Sequence, residues 1–249
     1  SSLGPFPSVL PGDTLTVTGT AANDTFRTRL GLPGVSGHVA RLNQWSYVYD
    51  SAAVHTIRLV GAGGWDAVEV FGTDLDETAV LGADGSGSMS NEHDGVEFEG
   101  AAQVNAYGRG GVDTVRFLDS PGDDQFVRTP SYGYLTSSSA FLFASQFECV
   151  EAVAAAGGGD FAGLYDTADD DRLTASPGHT LLESPTLTCE TSGFGYVHVR
   201  SVYGGFDTAE IDGSGGDDLF VAQPNSSLMV SPGFQNAVSG FDRVTGRAA

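Results

Sequence analysis

Apolar and polar residues alternate along short segments of the chain, and five of these segments follow an aspartate. The five aspartates are Asp13, Asp66, Asp113, Asp160 and Asp207. In the second segment, Asp66-Ala-Val-Glu-Val, every other residue after the aspartate is strongly apolar. Such a period of two predicts a β-strand with one buried face. Only residues 152–156 suggest a helix, and glycines follow them at once, so we predict an all-β fold.

The same aspartates mark an internal repeat. A Gly-Gly-x-Asp element ends at Asp66, Asp113, Asp160 and Asp207, and the three intervals are each 47 residues. The copy at Asp13 lies 53 residues before Asp66 and has Pro11-Gly12 in place of the glycine pair. Each copy continues with a polar pair and then an apolar residue two positions later. The pairs are Asn23-Asp24, Asp76-Glu77, Asp123-Asp124, Asp170-Asp171 and Asp217-Asp218, and the apolar residues are Phe26, Ala79, Phe126, Leu173 and Phe220.

This periodicity predicts a β-solenoid, or parallel β-helix, of five repeats of about 47 residues. We expect a single β-repeat domain over residues 13–249, four to six strands per repeat and an incomplete last copy. Two coils per repeat would place Asp113, Asp160 and Asp207 in a line at steps of roughly 9 to 10 Å. A five-bladed β-propeller is the alternative, because 47 residues also fit a four-stranded blade. Residues 1–12 contain three prolines and are predicted to form an extended N-terminal arm.

Charge and composition exclude several functions. The chain has 32 acidic and 11 basic residues, a net charge of −21, and no lysine. A phosphate-binding surface needs clustered cations, so no nucleic-acid partner is expected. No apolar run is long enough for a membrane helix, and we predict no membrane insertion. The chain starts at Ser1 and not at Met, which we interpret as a mature secreted chain; whether Cys149 and Cys189 form a disulfide is left open.

Two segments carry a resemblance to a known family. Residues 19–26 (GTAANDTF) and 213–220 (GSGGDDLF) resemble degenerate haemolysin-type (RTX-like) calcium-binding nonapeptides. The full repeat, from Asp13 to Val244, resembles the repeats of very large extracellular proteins of planctomycete bacteria. This resemblance implies an extracellular location, at the cell surface or in the matrix. The haemolysin-type family places its nonapeptides in tandem, whereas here one occurs per 47 residues.

The acidic pairs are the candidate metal ligands. If they stack along a solenoid, their carboxylates repel one another, and Ca²⁺, which takes six to eight oxygen ligands, would relieve that repulsion. The alternative is that these side chains cap tight turns by accepting hydrogen bonds from backbone N–H groups. The candidate calcium ligands are Asp24, Asp76, Asp123, Asp124, Asp170, Asp171, Asp217 and Asp218.

No catalytic motif stands out in the sequence. The five histidines show no metal-ligand spacing. The acidic pair recurs in every copy, which is typical of a structural turn and not of an active site. We therefore predict an extracellular structural protein, a subunit of a head-to-tail filament or a surface or matrix fibre, and not an enzyme. The alternatives are a calcium-dependent adhesive surface module that contacts a glycan or cell surface, and a carbohydrate-active β-helix enzyme.

Overall fold

The computed structural model of the chain describes residues 13–32 and 35–247. These residues form β-strands connected by turns, with no helix among them, so the all-β prediction is confirmed. The strands stack in coils as a β-solenoid, which confirms the solenoid prediction against the propeller. In the described part of the chain there is accordingly no helix that could cross a membrane. The predicted arm, residues 1–12, lies outside the described residues.

The chain comprises two compact units. Unit 1 contains the chain up to Arg116 together with Ser139–Phe147, and unit 2 contains Phe117–Ser138 together with the chain from Glu148. The strands of unit 1 are β1 (Thr14–Thr18), β2 (Thr25–Arg29), β3 (His38–Leu42), β4 (Trp45–Tyr49), β5 (Thr56–Val60), β6 (Ala67–Phe71), β7 (Thr78–Gly82), β8 (Gly87–Ser90), β9 (Gly95–Glu99), β10 (Gln103–Tyr107) and β14 (Phe141–Ser145). Strand β11 (Thr114–Leu118) has residues of both units.

Unit 2 contains the remaining strands. They are β12 (Gln125–Arg128), β13 (Tyr132–Thr136), β15 (Cys149–Val153), β16 (Phe161–Tyr165), β17 (Arg172–Ser176), β18 (His179–Glu183), β19 (Thr188–Ser192), β20 (Tyr196–Arg200), β21 (Thr208–Asp212), β22 (Leu219–Gln223), β23 (Ser226–Ser231), β24 (Phe234–Ser239) and β25 (Arg243–Arg247). Each repeat thus has five strands, within the predicted range. That the repeats form a single domain stays a prediction.

Each unit contains strands of two sheets. In unit 1 the strand orders are β1-β5-β9-β8-β7, here sheet 1A, and β14-β10-β6-β2-β3-β4, here sheet 1B. In unit 2 they are β15-β19-β18-β17-β21-β25, here sheet 2A, and β22-β23-β24-β20-β16-β12-β13, here sheet 2B. Within a repeat the first and fifth strands pair in parallel in one sheet, as β16 does with β20. The second, third and fourth strands form an antiparallel meander in the other sheet, as β17, β18 and β19 do.

Successive repeats exchange sheets. Strand β1 after Asp13 lies in sheet 1A, but β6 after Asp66 lies in sheet 1B; likewise β16 after Asp160 lies in sheet 2B and β21 after Asp207 in sheet 2A. A repeat therefore passes between its sheets three times, which is one and a half coils. The expected line of Asp113, Asp160 and Asp207 already fails within unit 2, where Asp160 and Asp207 precede strands of different sheets. The meander uses three strands within one sheet, so 47 residues do not complete two coils.

The buried faces of the strands form the core. The apolar residue that follows each polar pair points inward, and its side chain is at most 1% exposed in the first four repeats. The exception is Phe220, which is 37% exposed. In unit 2 the ring of Phe126 lies 5.3 Å from that of Phe117 and 6.2 Å from that of Phe194. Aromatic pairs at these separations add to the stabilisation from burial.

The two cysteines are free thiols. They lie on the neighbouring parallel strands β15 and β19, where Cys189 is opposite Val150 and Cys149 is opposite Thr188. Adjacent residues of a strand point to opposite faces, so Cys189 is in the core and Cys149 faces outward. A disulfide needs side chains that point toward each other. Burial raises the pKa of the Cys189 thiol to about 12, which leaves it unreactive.

Candidate functional site

Every polar pair lies in the turn that joins the first and second strands of its repeat. This turn is here called the corner. The second residue of the pair is buried in the first four repeats and half-buried in the fifth. In the corner between β16 and β17, Asp171 Oδ2 accepts hydrogen bonds from the N–H and hydroxyl of Thr167 at 2.8 and 2.9 Å. The other corners use the same pattern, in which a Ser or Thr lies four residues before the acid: Thr20, Thr73, Ser120 and Ser214.

The corner also binds the aspartate that begins the next repeat. The Asp171 N–H donates to Asp207 Oδ1 at 2.8 Å, and the Asp24 N–H donates to Asp66 Oδ1 at 2.8 Å. The Asp124 N–H does the same toward Asp160 at 2.9 Å. Since a buried N–H without an acceptor is costly, this contact explains why an aspartate recurs in the Gly-Gly-x-Asp element.

The first residue of each pair is exposed, and in the first four repeats it caps the next repeat. Asp170 Oδ1 accepts the Phe206 N–H at 2.7 Å, and Asp123 Oδ1 accepts the Gly159 N–H at 2.7 Å. Asn23 and Asp76 accept from the equivalent backbone N–H groups. The turn-capping alternative therefore describes these side chains. A calcium role for Asp76, Asp123 and Asp170 stays a prediction.

In two corners the structure brings three carboxylates together. Asp119, Asp124 and Asp160 form one group, here the Asp119 cluster. Asp166, Asp171 and Asp207 form the other, here the Asp166 cluster. In each, one oxygen from every carboxylate lies within 4.8 Å of the others. Among the described residues the other six predicted calcium ligands belong to no such group: Asp24, Asp76, Asp123, Asp170, Asp217 and Asp218.

Sequence reasoning missed four of these six cluster residues. In the sequence, Asp160 and Asp207 mark the starts of strands, and no local pattern indicates that they meet the corner of the preceding repeat. Asp119 and Asp166 occupy the sixth position after the repeat aspartate. The other three repeats have glycine there, at Gly19, Gly72 and Gly213. That departure from the repeat was the available signal.

Mutual repulsion and burial act on the same carboxyl groups. Burial raises the pKa of Asp171, the charges of Asp207 and Asp166 add to the increase, and the hydrogen bonds from Thr167 oppose it. Burial likewise raises the pKa of Asp160, with the charge of Asp124 acting in the same direction. An arrangement that favours a proton on a carboxylate also favours a metal cation.

A second charged site lies on the outward face of sheet 1B. An open cavity of about 460 Å³ is lined by Arg27, Arg29, Val39, Arg41, Phe71 and Arg109. Arg27 lies opposite Arg41 on the antiparallel strands β2 and β3, and its guanidinium is 4.8 Å from the ring centre of Phe71. Arg27 pairs with Glu69 at 3.2 Å. In the described part of the chain, no carboxylate forms an ion pair with Arg29, Arg41 or Arg109.

Two of the five histidines meet at one buried acid. His38 and His55 flank Asp94, and His55 Nδ1 lies 2.8 Å from an Asp94 oxygen. The Gly31 N–H donates to His38 Nδ1, so the proton of His38 is on Nε2 and is donated to the Val54 carbonyl at 2.8 Å. Both ring nitrogens of His38 are thus used by the backbone, which indicates a structural role.

At one end of each of the four strand orders given above, the last strand has a partner on one side only, within the residues described. These strands are β1 and β4 in unit 1 and β22 and β25 in unit 2. Strand β22 is exposed along its whole length, with Leu219 59% exposed. Strand β4 exposes Val48 at 71% and Trp45 at 39%. Unpaired backbone groups beside apolar side chains are the features of a strand that pairs with another chain.

Comparison with known proteins adds no family. A scan against protein-family models finds no match, and a search of curated proteins finds no relative.

Proposed function

We propose that this chain is a structural protein of a bacterial cell surface or extracellular matrix, and that its copies assemble head to tail through their open strand edges. The observation that carries the proposal is strand β22, whose outer edge and apolar residues are uncovered among the described residues. Burying such an edge against another strand satisfies the backbone groups and removes apolar surface from water. A second copy of the chain is the occupant we propose.

The repeats indicate how that copy would bind. Within each unit the second strand of a repeat pairs in parallel with the first strand of the next: β2 with β6, β12 with β16 and β17 with β21. In these pairs Phe126 is opposite Ala162 and Leu173 is opposite Ala209. Strand β22 is a second strand without such a partner, and β1 is a first strand without one. Pairing β22 with β1 of another copy would place Phe220 opposite Leu15.

A second pair of edges matches in the same way. The fifth strand of a repeat pairs in parallel with the fourth strand of the next, as β15 does with β19 and β20 with β24. Val150 is then opposite Cys189, and Val197 is opposite Asn236. Strand β25 is a fifth strand and β4 a fourth strand, and each has an open side. Equivalent pairing would place Val244 opposite Trp45 of the other copy.

The contact joins different surfaces of the two copies and can therefore propagate. A heterologous contact that does not close on itself gives an open array. Edge-to-edge pairing of this kind is a known mode of recognition, in which backbone hydrogen bonds supply affinity and side-chain pockets supply specificity. The extracellular location in this proposal is supported by the resemblance to planctomycete repeat proteins. A role other than catalysis is supported by the use of the acidic pairs as turn acceptors in repeat after repeat.

Sedimentation and negative-stain microscopy of the purified chain across a concentration series test the proposal. We expect assemblies that grow with concentration, and we expect Phe220→Asp to remain monomeric, because it would bury a charge in the contact. Phe206→Asp is the matched control, since Phe206 is also an exposed phenylalanine but lies outside the open strands. The control should assemble like the parent. A parent chain that stays monomeric, or equal loss of assembly in both variants, overturns the proposal.

The arginine-lined cavity favours a second candidate function, adhesion to an anionic surface polymer. Four of the 11 basic residues line one cavity in a chain of net charge −21. Guanidinium groups bind carboxylate and sulfate in bidentate geometry. Binding of a carboxylated polysaccharide that is lost in Arg29→Gln with Arg41→Gln, but kept in Arg58→Gln, would support adhesion. Equal binding by both variants would exclude the cavity as the adhesive site.

A further inference from the structure

Two buried carboxylate oxygens in the acidic clusters have no hydrogen-bond partner. They are Asp124 Oδ1 and Asp171 Oδ1. The side chains are only 3% and 2% exposed, so bulk water does not solvate these oxygens. An unpartnered buried polar atom in a native fold requires an explanation, because it loses its hydration without compensation.

The equivalent oxygen has a donor in each of the other three repeats. Asp24 Oδ1 accepts from Asn43 Nδ2 at 2.6 Å, and Glu77 Oε1 accepts from Asn91 Nδ2 at 3.0 Å. Asp218 Oδ1 accepts from the Ser231 hydroxyl. These are also the three repeats with glycine at the sixth position. The two repeats that lack the donor have a third carboxylate there, Asp119 or Asp166.

The remaining oxygens of the Asp166 cluster are held in place by neutral donors. Asp166 accepts from the N–H groups of Val202 and Tyr203 at 2.9 to 3.1 Å. Asp207 accepts the Asp171 N–H and, at 2.6 Å, the Ser201 hydroxyl. These bonds fix the carboxylates but bring no positive charge. No arginine or histidine of the described residues forms an ion pair with any member of either cluster.

We propose that the Asp119 cluster and the Asp166 cluster are two binding sites for a hard divalent cation, with Ca²⁺ as the best match. Three converging carboxylates offer only oxygen ligands, which is the set that Ca²⁺ and Mg²⁺ prefer over softer metals. Ca²⁺ accepts irregular coordination, whereas Mg²⁺ demands near-octahedral geometry and keeps most of its water. The cation takes the place that an asparagine or serine donor occupies in the other repeats.

The proposal is independent of self-assembly. All six ligands belong to unit 2, and each site joins the corner of one repeat to the aspartate that begins the next. The bound ion would therefore connect consecutive repeats within one copy. Of the eight calcium ligands predicted from the sequence, the proposed sites contain only Asp124 and Asp171. The other four proposed ligands are Asp119, Asp160, Asp166 and Asp207.

Calorimetric titration of the chelator-treated chain with CaCl₂ tests the sites. We expect two Ca²⁺ per chain, weaker binding of MgCl₂, and a melting temperature that rises with added calcium. Asp166→Gly should bind one Ca²⁺, and Asp119→Gly with Asp166→Gly should bind none. Glycine is suited to the test because three other repeats contain it at this position. Asp166→Asn, which keeps an acceptor for Tyr203, should also bind one and guards against misfolding of the glycine variant.

Asp74→Asn is the control, because Asp74 is an exposed corner acid outside both clusters. It should keep both sites and the calcium-dependent melting temperature. A folded parent chain that binds no Ca²⁺ at millimolar concentration overturns the proposal. Unchanged stoichiometry in the double variant also overturns it, because the ions would then be bound by acids elsewhere.

Discussion

The aspartate that begins each repeat after the first should stabilise the fold by accepting one buried backbone N–H. Asp66 offers the clearest test, because its side chain is 1% exposed and its Oδ1 accepts the Asp24 N–H at 2.8 Å. Asp66→Ala removes the acceptor and leaves that N–H buried without a partner. Asp66→Asn keeps an oxygen in the same place. Since an unsatisfied buried donor costs about 1 to 3 kcal/mol, the alanine variant should be less stable than the asparagine variant by that amount.

The comparison between the two variants controls for the loss of the buried charge, because both variants remove it. The free energy of unfolding comes from urea titration followed by circular dichroism. Hydrogen exchange at the Asp24 amide gives a local measurement, and protection should fall in Asp66→Ala alone. Asp74→Ala is the control, with an expected change within about 0.5 kcal/mol for an exposed site. Equal stability of the two Asp66 variants, or full protection of the Asp24 amide in both, would refute the reasoning.

Three further predictions concern pH, packing and thiol chemistry. Burial raises the pKa of Asp66 above its ordinary value near 3.8. The free energy of unfolding of the parent chain should therefore fall relative to that of Asp66→Asn as the pH rises from about 4 through the raised pKa. A difference in unfolding free energy that stays constant across this range would contradict this prediction. Phe126→Ala should cost about 3 to 5 kcal/mol of unfolding free energy. Phe220→Ala, at the equivalent but exposed position, should cost less than about 1 kcal/mol. If urea titrations gave similar losses of unfolding free energy for the two variants, they would contradict the packing described. A thiol reagent should modify Cys149 in the folded chain and reach Cys189 only after unfolding, which a timed mass measurement can show.

The strands and the repeat could be predicted from sequence because both are local or periodic features. The period of two after Asp66, Asp160 and Asp207 corresponds directly to β6, β16 and β21. The exchange of sheets could not be predicted, because a repeat length does not determine how many passages between sheets a repeat makes. That number depends on the meander β17-β18-β19 remaining in one sheet.

The candidate metal site could be predicted only in part. Asp124 and Asp171 were found because the acidic pair recurs. Asp119 and Asp166 could not be predicted in this way, because they stand where the other three repeats have glycine. Such a difference indicates a ligand only once the residues that surround the position in space are known. The contact of Asp171 with Asp207, 36 residues later, is a property of the stacked coils and of no local pattern.

Disulfide trapping tests the head-to-tail contact most directly. The proposed register places Val244 of one copy opposite Trp45 of the next, and neighbouring strands about 4.8 Å apart are within reach of a disulfide. In a Cys149→Ser background, Trp45→Cys with Val244→Cys should give a ladder of linked multimers under mild oxidation. Trp45→Cys with Arg243→Cys, whose second cysteine points to the other face of β25, should not. Monomers from the first variant, or equal ladders from both, would contradict the account.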